Sequence, residues 1–115
     1  MGRIPKKPED IFGKLTEDYK SIFGEDLLSI ILYGSGASGH YIPGKSDLNF
    51  LIILAESRID DLDTTIPIVA HWRKRGVAIP LFMTRSYVES SLDTYPIEFL
   101  NMRRHYIVVH GKDFL

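Results

Sequence analysis

Apolar positions recur along the chain with two periods, and those periods lay out the elements. In residues 9–23, Ile11, Phe12, Leu15, Tyr19, Ile22 and Phe23 return every three or four positions. That spacing predicts an amphipathic helix, with Gly24 as its stop. Residues 27–33, LLSIILY, and 48–55, LNFLIILA, are short continuous apolar runs, the pattern of strands buried on both faces. Residues 60–75 regain the helical period, with Leu62, Ile66, Val69 and Trp72 on one stripe and Pro67 as a start or a kink. Residues 77–84, VAIPLFMT, predict a third strand, which Pro80 assigns to a sheet edge or a bulge. Ser86 suits the cap of a short helix to residue 92, and Pro96 the start of another through Arg103. Residues 105–110, HYIVVH, read as a last strand. The expected fold class is α/β or α+β, a small mixed β-sheet with helices packed on it. Residues 1–8 are expected to be a flexible N-terminus, and 9–115 a single domain.

Composition narrows the function classes. The chain has 115 residues, enough for one core but not for a separate substrate domain. A net charge of −1 gives no global attraction to nucleic acid or to an anionic membrane. The basic clusters at residues 73–75 and 103–104 read as solvated helix ends. The absence of cysteine removes disulfides, thiolate metal sites and cysteine nucleophiles. No signal-peptide pattern and no membrane-length apolar run is evident, which makes the cytoplasm the expected location.

Chemistry is concentrated in residues 33–50, YGSGASGHYIPGKSDLNF, where three phosphate-handling patterns overlap. Gly39, Gly44, Lys45 and Ser46 spell the phosphate loop of many NTPases. That loop needs a strand immediately before it and a helix immediately after it. Here the strand ends at residue 33, and strand-like sequence follows Ser46. Gly34, Gly36 and Gly39 spell the dinucleotide fingerprint, which must open a crossover helix. Only residues 40–47 separate Gly39 from the next strand, and Pro43 and Gly44 among them break helices. Glu56, at the distance of a ribose-binding acid, is then a coincidence of spacing.

The third pattern fits its context. A strand ends in Gly34-Ser35, and residues 35–41 have room for about two helical turns. The chain then returns through a Pro-Gly turn, and Asp47 opens a strand with Asn49 two residues on. Strand alternation puts Asp47 and Asn49 on one face and turns Leu48 and Phe50 to the other. Amides near Gly34-Ser35 could then meet a triphosphate, and Asp47 could hold a Mg²⁺ bridging it.

LYGSGASGHYIPGKSDLNFLIIL resembles the nucleotidyltransferase superfamily with the polymerase-beta-like palm, most closely its minimal stand-alone members. The clear likeness covers residues 27–56. It implies an NTP, with ATP the first expectation, bound with Mg²⁺ and a nucleotidyl group transferred to an acceptor hydroxyl. On this reading Gly34 and Ser35 hold the triphosphate, and Asp47 and Asn49 are the catalytic and metal-binding pair. The family uses three carboxylates. Asn49 stands where the second is expected, residues 77–84 contain no acid, and Ser38 replaces an arginine often seen there. Catalytic competence therefore hangs on one acid, and an enzyme is only one of two readings. The other is a non-catalytic nucleotide-binding or protein-interaction module, resembling antitoxin-like partners of helical proteins. The resemblance also leaves room for an absent C-terminal domain or a homo-oligomer. His40, His71, His105 and His110 lack metal-ligand spacing and read as surface or structural residues. Trp72 reads as core.

Overall fold

The structure is a computed structural model that describes residues 3–94 and 97–115. A short 3-10 turn at Pro8–Ile11 leads into α1 (Phe12–Phe23), which ends at Gly24 with φ 55°. β1 (Leu27–Tyr33) follows, then the glycine-rich connection, then β2 (Asn49–Leu54). A 3-10 stretch, Glu56–Thr65, feeds α2 (Ile66–Arg73). β3 (Leu81–Thr84), α3 (Arg85–Thr94), α4 (Ile97–Arg104) and β4 (Tyr106–Gly111) complete the order.

The sheet runs β3-β2-β1-β4. β1 is antiparallel to both β2 and β4, and β2 is parallel to β3. This is the mixed sheet expected. Both faces of the central strands are covered, which explains their continuous apolar runs. Ile30, Leu32, Phe50 and Ile52 pack with Leu15, Tyr19 and Trp72 in one core layer. Ile31, Leu51 and Ile53 pack with Val88, Phe99 and Met102 in the other. Alternation along β1 and β2 thus separates two helical layers with one sheet between them.

Several local expectations need correction. Residues 35–41 do not form two helical turns. The helical part is a single 3-10 turn, Gly34–Gly36, and Gly39 at φ 84° is left-handed, which stops a right-handed helix from running on to residue 41. The 60–75 helix begins only at Ile66, with Pro67 in its first turn, where its missing N–H costs nothing. That later start breaks the register with Leu62. Ile66 is consequently 63% exposed, while Ile68 packs on the core. The third strand shortens to Leu81–Thr84, directly after Pro80, and lies at the sheet edge as Pro80 required. The cap of α3 is Thr84 rather than Ser86. Thr84 Oγ1 accepts the Tyr87 N–H at 3.2 Å, since strand and helix adjoin with no linker. Pro96, the expected helix start, lies outside the described residues.

The N-terminal segment makes defined contacts. The Tyr41 hydroxyl donates to the Pro5 carbonyl at 2.7 Å, and Arg75 Nε donates to the Arg3 carbonyl at 2.9 Å. No helix among the described residues is long and apolar enough to cross a membrane.

Candidate nucleotide site

β1 and β2 are paired so that Tyr33 lies opposite Asn49. The chain leaves β1 at Gly34, whose left-handed backbone turns it sharply over the end of the sheet. A Cβ at Gly34 would stand 3.5 Å from Asn49 Nδ2. The register therefore brings Gly34 and Asn49 together. The turn is pinned from within. The Gly34 carbonyl accepts the N–H groups of Ala37 (3.0 Å) and Ser38 (3.2 Å), and the Ser35 carbonyl accepts the Ser38 hydroxyl and the His40 N–H. Its own first donor is taken, because the Gly34 N–H donates to the His105 carbonyl at 3.2 Å. Ser35 and Gly36 complete the 3-10 turn that opens after Tyr33.

Asp47 lies one residue before the bridge that pairs Leu48 with Val77 in parallel. Its side chain is about half exposed and faces a cation of the protein itself. Arg73 Nη1 stands 3.4 Å from Asp47 Oδ1 and donates to the Val77 carbonyl at 3.3 Å. No described contact joins Asp47 to Gly34 or Ser35. Arg73 escaped sequence reasoning, where residues 73–75 read as a solvated helix end. In the structure Arg73 pairs with Asp47, and the Arg75 guanidinium lies 4.8 Å from the Trp72 ring centroid. The signal that could have found Arg73 is its place in the last turn of a helix that returns to the start of β2.

A cavity of about 370 Å³ opens beside the Gly34 turn, lined by Tyr33, Gly34, Leu81, Asn101 and Met102. Burial raises the Tyr33 phenol above its ordinary pKa, so it is neutral across the physiological range. The wall across the sheet is β3, whose residues Leu81, Phe82, Met83 and Thr84 carry no carboxylate. Among the described residues no group of three His, Cys, Asp or Glu could hold a metal ion. The donors available to a cation here are one carboxylate, already paired with Arg73, and one neutral amide. Hard divalent cations favour several anionic oxygens, so this donor set does not suit a pair of them.

Neither competing motif has its scaffold. The chain after Gly39 and Ser46 passes through turns into β2, with no helix between residues 37 and 48. The comparison with solved structures agrees with the surviving pattern. A crystal structure from Sulfolobus solfataricus, described as a "putative nucleotidyltransferase", superposes with a TM-score of 0.54 at 16% identity, covering 86% of this chain and 76% of that one. This chain has a nucleotidyltransferase-like fold. No protein-family model and no curated protein matches it. At that identity the likeness speaks for the fold alone. It fits the strand, Gly-Ser turn, second strand and edge strand described above.

Proposed function

We propose that this chain is a nucleotide-binding domain built on the nucleotidyltransferase-like fold, without metal-dependent transfer activity. One observation carries the proposal: the only carboxylate of the expected acid set, Asp47, is paired with Arg73, while Asn49 beside Gly34 brings no charge. Two-metal chemistry needs anionic oxygens on both sides of each cation. The turn itself retains what phosphate contact needs. Gly34, left-handed and without a side chain, lets a phosphate approach the backbone closely where the 3-10 turn opens. The neighbouring cavity has mainly apolar walls, with Leu81, Met102 and Tyr33 beside Asn101, as suits the face of a base.

Calorimetric titration of ATP, GTP, CTP and UTP tests the reading, with Mg²⁺ and with EDTA. The wild type should bind at least one of them, and transfer of labelled nucleotide to any acceptor should be undetectable. Gly34→Val, which closes the backbone approach, should abolish binding in a protein that remains folded. Unchanged affinity in that variant would place the phosphates elsewhere.

A second reading, as a protein-interaction module, has its own support. Ile97 and Leu100 are 69% and 44% exposed on α4, next to Asn101 at the cavity, and Ile79 is 71% exposed before β3. Exposed apolar side chains on α4 and before β3 suit cover by a helical partner. Sedimentation velocity of the wild type against Ile97→Glu separates self-association from a monomer.

A further inference from the structure

We infer that Arg73 is the resident cation at Asp47 and that it excludes a divalent metal ion there. The inference rests on the reading of Asp47 as the metal-side acid of the nucleotide site, and it names what fills that role.

Three features fix the guanidinium. Arg73 occupies the last turn of α2, where the helix end favours a positive charge. The segment after α2 is tied to the residue following Asp47. Leu48 N–H donates to the Gly76 carbonyl at 2.9 Å, and Ala78 N–H donates to the Leu48 carbonyl at 3.0 Å. Those two bonds set the Val77 carbonyl beside Asp47. Arg73 Nη1 then reaches both, 3.3 Å from the carbonyl and 3.4 Å from the carboxylate. Backbone pairing thus sets the carbonyl that holds the guanidinium, and the guanidinium and carboxylate, each about half exposed, meet beside it.

A divalent ion on Asp47 would have to displace this contact or sit against a like charge. Asn49, two residues on, supplies no anionic oxygen to offset either cost. Arg73 cannot relieve the conflict by losing its proton. The guanidinium and the metal are therefore alternatives at one carboxylate.

Mn²⁺ alone, titrated without nucleotide, tests this. The readouts are free Mn²⁺ by electron paramagnetic resonance and paramagnetic broadening of the Leu48 and Asn49 amide signals. The wild type should bind weakly, with little broadening at those amides. Arg73→Gln should tighten Mn²⁺ binding by about tenfold, the scale of one surface charge contact, and broaden them. Arg73→Lys, which keeps the charge, should remain as weak as the wild type. Asp47→Asn added to Arg73→Gln should remove the gain. Equal Mn²⁺ affinity in wild type and Arg73→Gln, or broadening away from residues 47–49, would overturn the inference. Because no nucleotide is present, a failure of ATP to bind would count against the proposed function and leave this result standing.

Discussion

Gly36 and Leu48 are packed so closely that a Cβ on Gly36 would stand 2.7 Å from the Leu48 Cδ2 methyl. Leu48 is fully buried, and the methyls of the equally buried Leu32 would stand 3.4 and 3.6 Å from the same Cβ, so the added methyl would meet core side chains from two sides. The contact seats the Gly-Ser turn on the sheet. Gly36→Ala should therefore lower stability by about 1–3 kcal/mol through overpacking. The urea midpoint should fall with an unchanged slope. A midpoint equal to that of the wild type would mean the turn can lift from Leu48.

The Trp72 indole N–H donates to Asp18 Oδ2 at 2.9 Å, joining α2 to α1 over the sheet. Asp18 also pairs with Lys14 at 3.2 Å through its other oxygen. Trp72→Phe keeps an aromatic ring in the core but leaves that oxygen without its indole donor. The expected loss is about 1.5–3 kcal/mol for a hydrogen bond to a charged group, plus the packing lost with the smaller ring. Asp18→Asn should cost less. The double variant should cost less than the two single losses added together, since one substitution removes the bond that the other weakens. Strict additivity in the cycle would show that the bond contributes nothing.

How much of this was legible in the sequence depends on which interactions are local. Residues 27–33 announced β1 because a strand covered on both faces must be apolar throughout. Gly34-Ser35 followed by Asp47 and Asn49 announced the fold because strand ends and turn lengths are local properties. The Glu56–Thr65 stretch was not legible. Its residues alternate without a clean period, although Leu62 packs on the core and Thr65 is buried. Arg73 was not legible either. Its partner Asp47 is 26 positions away, and only the parallel bridge between Leu48 and Val77 brings them together. Asn49 was visible as a departure from the acidic pattern. Its approach to Gly34 follows from the β1–β2 register, which the sequence suggests but does not number.

Tyr19 is buried beneath the sheet, and burial, with Asp18 next to it, pushes its phenol well above the ordinary value near 10. A folded-state pKa above the unfolded one means the neutral form is the one the fold accepts. The associated stability is complete below the unfolded pKa and is lost as pH rises from there toward the folded value. Tyr19→Phe has no proton to lose at this site. Its urea midpoint should fall less than that of the wild type between about pH 7 and about pH 11. Parallel decline of the two proteins over that interval would show that other groups carry the alkaline limb.

Asn49→Asp, introduced on the Arg73→Gln background, reports on the geometry of the cation position. In that background Asp47 has lost its guanidinium, and the substitution adds a second carboxylate two residues along with almost no change in volume. If both side chains flank one position, Mn²⁺ binding should tighten further, by about 1–3 kcal/mol, the scale of an added charge-assisted contact. Without metal the two carboxylates repel, so the double variant should unfold at a lower temperature than Arg73→Gln alone. Added Mn²⁺ should raise its melting temperature more steeply, because a ligand that binds only the folded chain stabilises it by the logarithm of one plus the ratio of free ligand to Kd. The substitution should add no nucleotidyl-transfer activity, since β3 still supplies no acid. Thermal unfolding of both variants across a Mn²⁺ series decides the matter. Identical Mn²⁺ responses would mean that Asn49, although it lies beside the Gly34 turn, does not share a cation position with Asp47, and the pairing of those two residues as one site would have to be given up.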